Sequence, residues 1–130
     1  MNILSVVLAL FSVMNLATWL ALLLAPEWFF ANVGDYAPFN RHYAGDLGAY
    51  VLAIGVGLMV AATAPYRYPA LTGIAALGNG LHALNHLYDD VLRSGFDFDH
   101  VLKGALPVGV SALVLLAVWI VTRRGDAGAA

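Results

Sequence analysis

Apolar residues fill four long runs of this chain, near positions 3–25, 46–64, 70–88 and 101–122, and polar residues gather in the short stretches between them. Each run approaches the roughly 20 residues that a helix needs to cross a bilayer. The pattern therefore predicts an all-α fold, an integral membrane four-helix bundle forming a single four-span transmembrane domain. The stretch after the first run opens Pro26-Glu27-Trp28, a proline and an acid suited to a first helical turn, and predicts a short interfacial helix there. Trp28, Phe29, Phe30, Tyr36 and Phe39 fit an aromatic belt at the membrane surface.

Composition strengthens this reading. Of the 130 residues 62% are apolar and only 11% charged, with a mean hydropathy of +0.80, outside the usage of ordinary soluble domains. The first run reads as a retained span, because its leading residues carry no basic side chain and no small-x-small cleavage pattern follows Ala25. Net charge is −2 and no basic stripe occurs, which argues against a nucleic-acid partner. Four spans place both termini on one side. Arg67, Arg123 and Arg124 then face Arg41, Arg93 and Lys103 across the membrane, and the adjacent pair at the end of the last span favours cytoplasmic termini in the cell membrane. Cysteine is absent, so any metal site must use imidazole, carboxylate or amide ligands. Gly45, Gly48, Gly55 and Gly57 in the second run, with Gly73, Gly78 and Gly80 in the third, predict close helix packing.

One stripe interrupts the apolar pattern. Asn79, His82, Asn85, His86 and Asp89 recur at helical spacing within the third run, and polar groups near bilayer depth are costly unless they pair or function. If the second and third runs form an antiparallel hairpin around Arg67, Asp46 reaches the depth of His86 and Tyr50 that of His82. His42, Asp46 and Tyr50 also share one helix face. The stripes then converge at the non-cytoplasmic end, His100 lying in the third loop outside that face. The loop from Asp89 to His100 reads as solvated, with Phe96 and Phe98 against the membrane surface. Pro107 predicts a kink in the last span that frees a carbonyl.

His82 and His86 lie one turn apart and can reach a single ion, with Asp46 or His42 as third ligand or outer partner. That set suits zinc, iron, manganese or copper. Haem would need His42 together with His82 or His86, since two residues of one helix cannot take both axial positions. Tyr50, Asn79, Asn85 and Asp89 complete the lining of the cofactor site. Two other readings stay open: the carboxylates of Asp46 and Asp89 simply close the bundle by bonding to histidines, Arg41 or Tyr50, or an Asp–His pair moves protons for a lipophilic substrate such as a quinone. Whether the protein is an enzyme is not fixed by any residue pattern.

The runs Pro38-Phe39-Asn40-Arg41-His42-Tyr43, Asp46-Leu47-Gly48-Ala49-Tyr50 and His82-Ala83-Leu84-Asn85-His86-Leu87-Tyr88-Asp89 resemble those of small bacterial four-span membrane proteins grouped loosely as DoxX-like. The resemblance spans the first aromatic loop through the fourth span. It implies a compact four-helix membrane bundle, and it supplies no catalytic residues to carry over; DoxX-like proteins in the stricter sense include subunits linked to quinone chemistry. The sequence as a whole predicts a His/Asp site that binds a transition metal or metal-bearing cofactor. The competing expectation is a noncatalytic subunit of a larger membrane complex or of a homo-oligomer, packed through its glycine-rich faces.

Overall fold

Helix α1 covers Ile3–Leu24, α2 Pro26–Asn32, α3 Arg41–Thr63, α4 Pro69–Tyr88, α5 Phe98–Lys103 and α6 Ala105–Asp126. A π-helical turn, Asp89–Arg93, continues α4. The computed structural model describes residues 2–34, 38–93 and 98–126, apart from the side chains of residues 92, 93, 125 and 126. The expectations for Tyr36 and Phe96, and for the Arg93 side chain, lie outside the described residues. No strand occurs among the described residues.

Among those residues three helical stretches are long and apolar enough to cross a membrane: Ile3–Leu24, Arg41–Thr63 and Phe98–Arg124. Helix α4 is 20 residues long, but its asparagines and histidines dilute its apolar character. Local signals set the boundaries. Asn2 caps α1, its side-chain oxygen accepting the Ser5 N–H at 2.8 Å. Pro26 supplies the first position of α2, confirming a short helix after the first span. Helix α3 begins at Arg41, five residues before the apolar run near 46–64. The Asn40 side-chain oxygen accepts the His42 N–H at 2.9 Å and the Tyr43 N–H at 3.3 Å, so a cap extends the helix beyond its apolar part. Pro107 stands in the first turn of α6, where its missing N–H costs no intrahelical bond. The carbonyl of Pro107 itself accepts the Ser111 hydroxyl at 2.8 Å, and the helical stretch Phe98–Arg124 is interrupted at Gly104, between α5 and α6.

Met1–Thr63 and Ala64–Ala130 form two compact units. In the first, α1 packs antiparallel along α3. Ser12, fully buried, donates to the Gly55 carbonyl at 2.7 Å, and a Cβ added at Gly55 would stand 3.1 Å from Leu16. Glycine here lets a hydroxyl of one helix reach the backbone of the other. At the loop end of this unit the Phe30 and Phe39 rings meet with centroids 5.3 Å apart.

In the second unit α4 packs antiparallel along α6. Thr72, Ala75 and Ala76 of α4 are buried, as are Leu115, Val118 and Thr122 of α6. The Trp119 indole lies so close to Gly73 that a Cβ there would stand 2.8 Å from its Nε1. The other face of α4 is apolar and outward: Ile74, Leu77, Leu81 and Leu84 are 59–63% exposed. Gly48 lies in ordinary contact distance of Leu22, whereas Gly45, Gly57 and Gly80 have nothing among the described residues within 4 Å of an added Cβ. The close-packing expectation therefore holds at Gly55 and Gly73 and not at those three.

Candidate functional site

Along α4 the residues Thr72, Ala76, Asn79, Ala83, His86 and Asp90 follow one another at three- and four-residue steps, so the polar stripe continues the line that packs on α6. Gly109 of α6 confirms the proximity, a Cβ there falling 3.7 Å from Ala83. On this seam His82 and His86 stack. Their ring centroids are 4.7 Å apart with the planes inclined by 23°, and their Nε2 atoms lie 3.0 Å from each other. Both rings are half-buried. At that distance one Nε2 carries a proton donated to the lone pair of the other, because two N–H groups cannot share the contact.

The π-helical turn then brings a group that the sequence pattern did not single out. Asp90 is 1% exposed, and its Oδ1 lies 3.8 Å from His100 Nδ1 of α5. Asp90 and Asp89 both lie within electrostatic range of the His86 ring. The expectation of a solvated loop from Asp89 to His100 is corrected on this point: a buried carboxylate must be held by partners, and His100, placed outside the site by sequence, is one of them. The signal in the sequence was the four-residue progression His82, His86, Asp90, hidden by the adjacent Asp89, which fits the α-helical stripe equally well.

The remaining residues behave differently. Asn79 donates to the carbonyl of Ala75 in its own helix at 2.9 Å, and Asn85 is exposed. Asp89 caps the end of α4. In the first unit His42 and Asp46 pair with each other, Nε2 to Oδ2 3.6 Å, with side chains 81% and 67% exposed. The hydroxyl of Tyr50 is buried and has no hydrogen-bond partner among the described residues. The structure thus brings together His82, His86, Asp89, Asp90 and His100 at one end of the second unit. His42, Asp46 and Tyr50 belong to the first.

The donor set suits a metal ion in one respect. Two nitrogens each about 2.1 Å from an ion are separated by about 3.4 Å at the tetrahedral angle and by about 3.0 Å at a right angle, and the 3.0 Å between His82 and His86 is the right-angle spacing of square-planar or octahedral ions. Opposite ligands would be about 4 Å apart by the same bond length, so the pair is suited to neighbouring coordination positions. Among the described residues no group of three or more His, Asp or Glu side chains is arranged to hold an ion.

No protein-family model matches the chain, and comparison with curated proteins and with solved structures finds no match. The DoxX-like resemblance rests on its motifs.

Proposed function

We propose that this chain is a four-span membrane protein in which His82 and His86 chelate a divalent transition metal through Nε2. The observation that carries the reading is the 3.0 Å separation of the two Nε2 atoms, which matches the chord between adjacent ligand positions at a right angle, as in square-planar or octahedral coordination. Water or a bound molecule completes the coordination, giving an open site able to polarise a ligand or to host acid–base exchange. Three stretches apolar enough to cross a membrane support membrane residence. For α4 the support is its outward row Ile74, Leu77, Leu81 and Leu84, which suits lipid contact while the histidines stay on the packed seam. Cytoplasmic termini follow from the Arg123–Arg124 pair under the positive-inside rule.

A second reading draws on the same contact. Without a metal, the pair shares a proton and serves proton exchange with a lipophilic substrate. Titration of detergent-purified, chelator-treated protein with cobalt(II) separates the two. The metal reading expects one equivalent bound with a visible ligand-field spectrum, lost when both histidines become alanine. Binding unchanged in H82A/H86A, or no binding in the wild type, overturns it.

A further inference from the structure

The opposite end of the second unit carries a cluster of arginines that the histidine pair does not use. From the Gly73–Trp119 contact, one antiparallel turn along each helix brings Arg123 of α6 level with Pro69, the first residue of α4. Arg67, in the turn just before α4, and Arg124 therefore lie at the same end. Two of the three are held over aromatic rings. The guanidinium carbon of Arg123 lies 4.4 Å from the centre of the Trp119 ring, and that of Arg67 lies 5.5 Å from the centre of the Tyr68 ring. These supports are themselves fixed, Trp119 by packing on Gly73 and the Arg67–Tyr68 turn by two N–H groups that donate to the Ala64 carbonyl at 2.9 and 3.2 Å. All three arginines are exposed, and none makes an ion pair among the described residues. Complementing the carbonyl end of α6 accounts for basic residues in its last turn. It does not account for Arg67, which precedes a helix start where an acid would suit the dipole and none is present. The sequence has no acid between Ala64 and Tyr88 or between Val101 and Gly125, so Asp126 alone stands against three arginines.

We propose that this cluster is a headgroup site for an anionic phospholipid, with Arg67 and Arg123 gripping the lipid phosphate from two helices and Arg124 adding charge. A guanidinium suits the task because its planar fork bonds phosphate oxygens in pairs while its face stacks on an aromatic ring. The apolar stretch Phe98–Arg124 ends at these arginines, which sets them at headgroup level in a bilayer. One turn further into α4 its outward apolar row begins with Ile74 and Leu77, a surface for acyl chains that a free phosphate ion would not use. Anionic lipids of the cytoplasmic leaflet attract basic residues beside a span, in agreement with the orientation given above. The inference rests on the membrane reading and not on the metal.

The test reconstitutes the full chain in phosphatidylcholine vesicles carrying a trace of spin-labelled phosphatidylglycerol or, separately, spin-labelled phosphatidylcholine. Electron paramagnetic resonance reads the fraction of each lipid held at the protein surface. The wild type should prefer phosphatidylglycerol about fivefold, the equivalent of about 1 kcal/mol. That preference should fall to about one in R67Q/R123Q/R124Q, with helical content by circular dichroism unchanged, and should drop in R67Q and in R123Q singly. K103Q removes the same charge from the other end of the unit and should leave the preference intact. The triple lysine variant R67K/R123K/R124K keeps the charge without the planar fork and should lose much of it. Equal losses in K103Q and R123Q, or full preference in the triple lysine variant, overturn the site in favour of net charge alone. Release of the lipid by inorganic phosphate at constant ionic strength overturns it in favour of a free anion. A chain that enters the vesicles and shows no preference sinks this inference alone, whereas a chain that does not enter them sinks the membrane reading as well.

Discussion

The Nε2 atoms of His82 and His86 face each other at 3.0 Å on successive turns of α4. A contact that short has two physical meanings, a shared proton or two vacant corners of a coordination shell, and acid treats them differently. Each imidazole must be neutral to bind a metal. Across the pH range in which acid protonates the two rings, metal affinity should drop with a slope approaching about two protons per ion when both ligate. Isothermal titration across that range checks this, and a slope near one would show that a single ring binds.

The Gly73–Trp119 contact makes a separate prediction about the second unit. A Cβ at Gly73 would stand 2.8 Å from Trp119 Nε1, and the indole is a rigid neighbour. G73A should destabilise the protein by about 1–3 kcal/mol, the usual cost of overpacking. G80A, with open space around the new methyl, should be neutral or slightly stabilising through helix propensity. Denaturation in mixed micelles compares the two variants. Combining G73A with W119L should recover much of the loss, since the shorter side chain vacates the contact.

In the first unit Ser12 joins α1 to α3 through its bond to the Gly55 carbonyl at 2.7 Å. S12A should cost about 0.5–1.5 kcal/mol, the ordinary net worth of such a bond; hydrogen bonds between membrane helices average near the low end of that range. The same denaturation assay reads the change. A loss of several kcal/mol would mean that the hydroxyl holds more than one contact.

Membrane topology separates four spans from three. If α4 crosses, reporter fusions after residues 2 and 126 should lie on the same side, the cytoplasmic one, and a fusion near residue 95 on the other. Termini on opposite sides would make α4 a surface helix and move the imidazole pair out of the bilayer.

The long apolar helices are readable from the sequence because their runs announce them, and the start of α2 is readable because Pro26 and Glu27 mark a first turn. Hydropathy placed the start of α3 too late because Asn40 caps the helix outside its apolar segment. The pairing of His82 with His86 was readable for a simpler reason, that four residues make one turn. Asp90 was not. Its place depends on a π-helical turn, a change of winding with no residue signature here, and the fully buried carboxylate sits beside an aspartate that continues the α-helical spacing. His100 was missed likewise, since it stands just ahead of the apolar run that begins at 101 and its contact with Asp90 arises only in three dimensions.

The central claim is that two imidazoles of one helix hold one ion, and X-ray absorption at the zinc edge of the zinc-loaded wild-type protein reads this directly. The account predicts two imidazole nitrogens at about 2.0–2.1 Å, and loss of that signal in H82A/H86A. A zinc shell made of oxygen alone, or a spectrum unchanged by the double substitution, would contradict it.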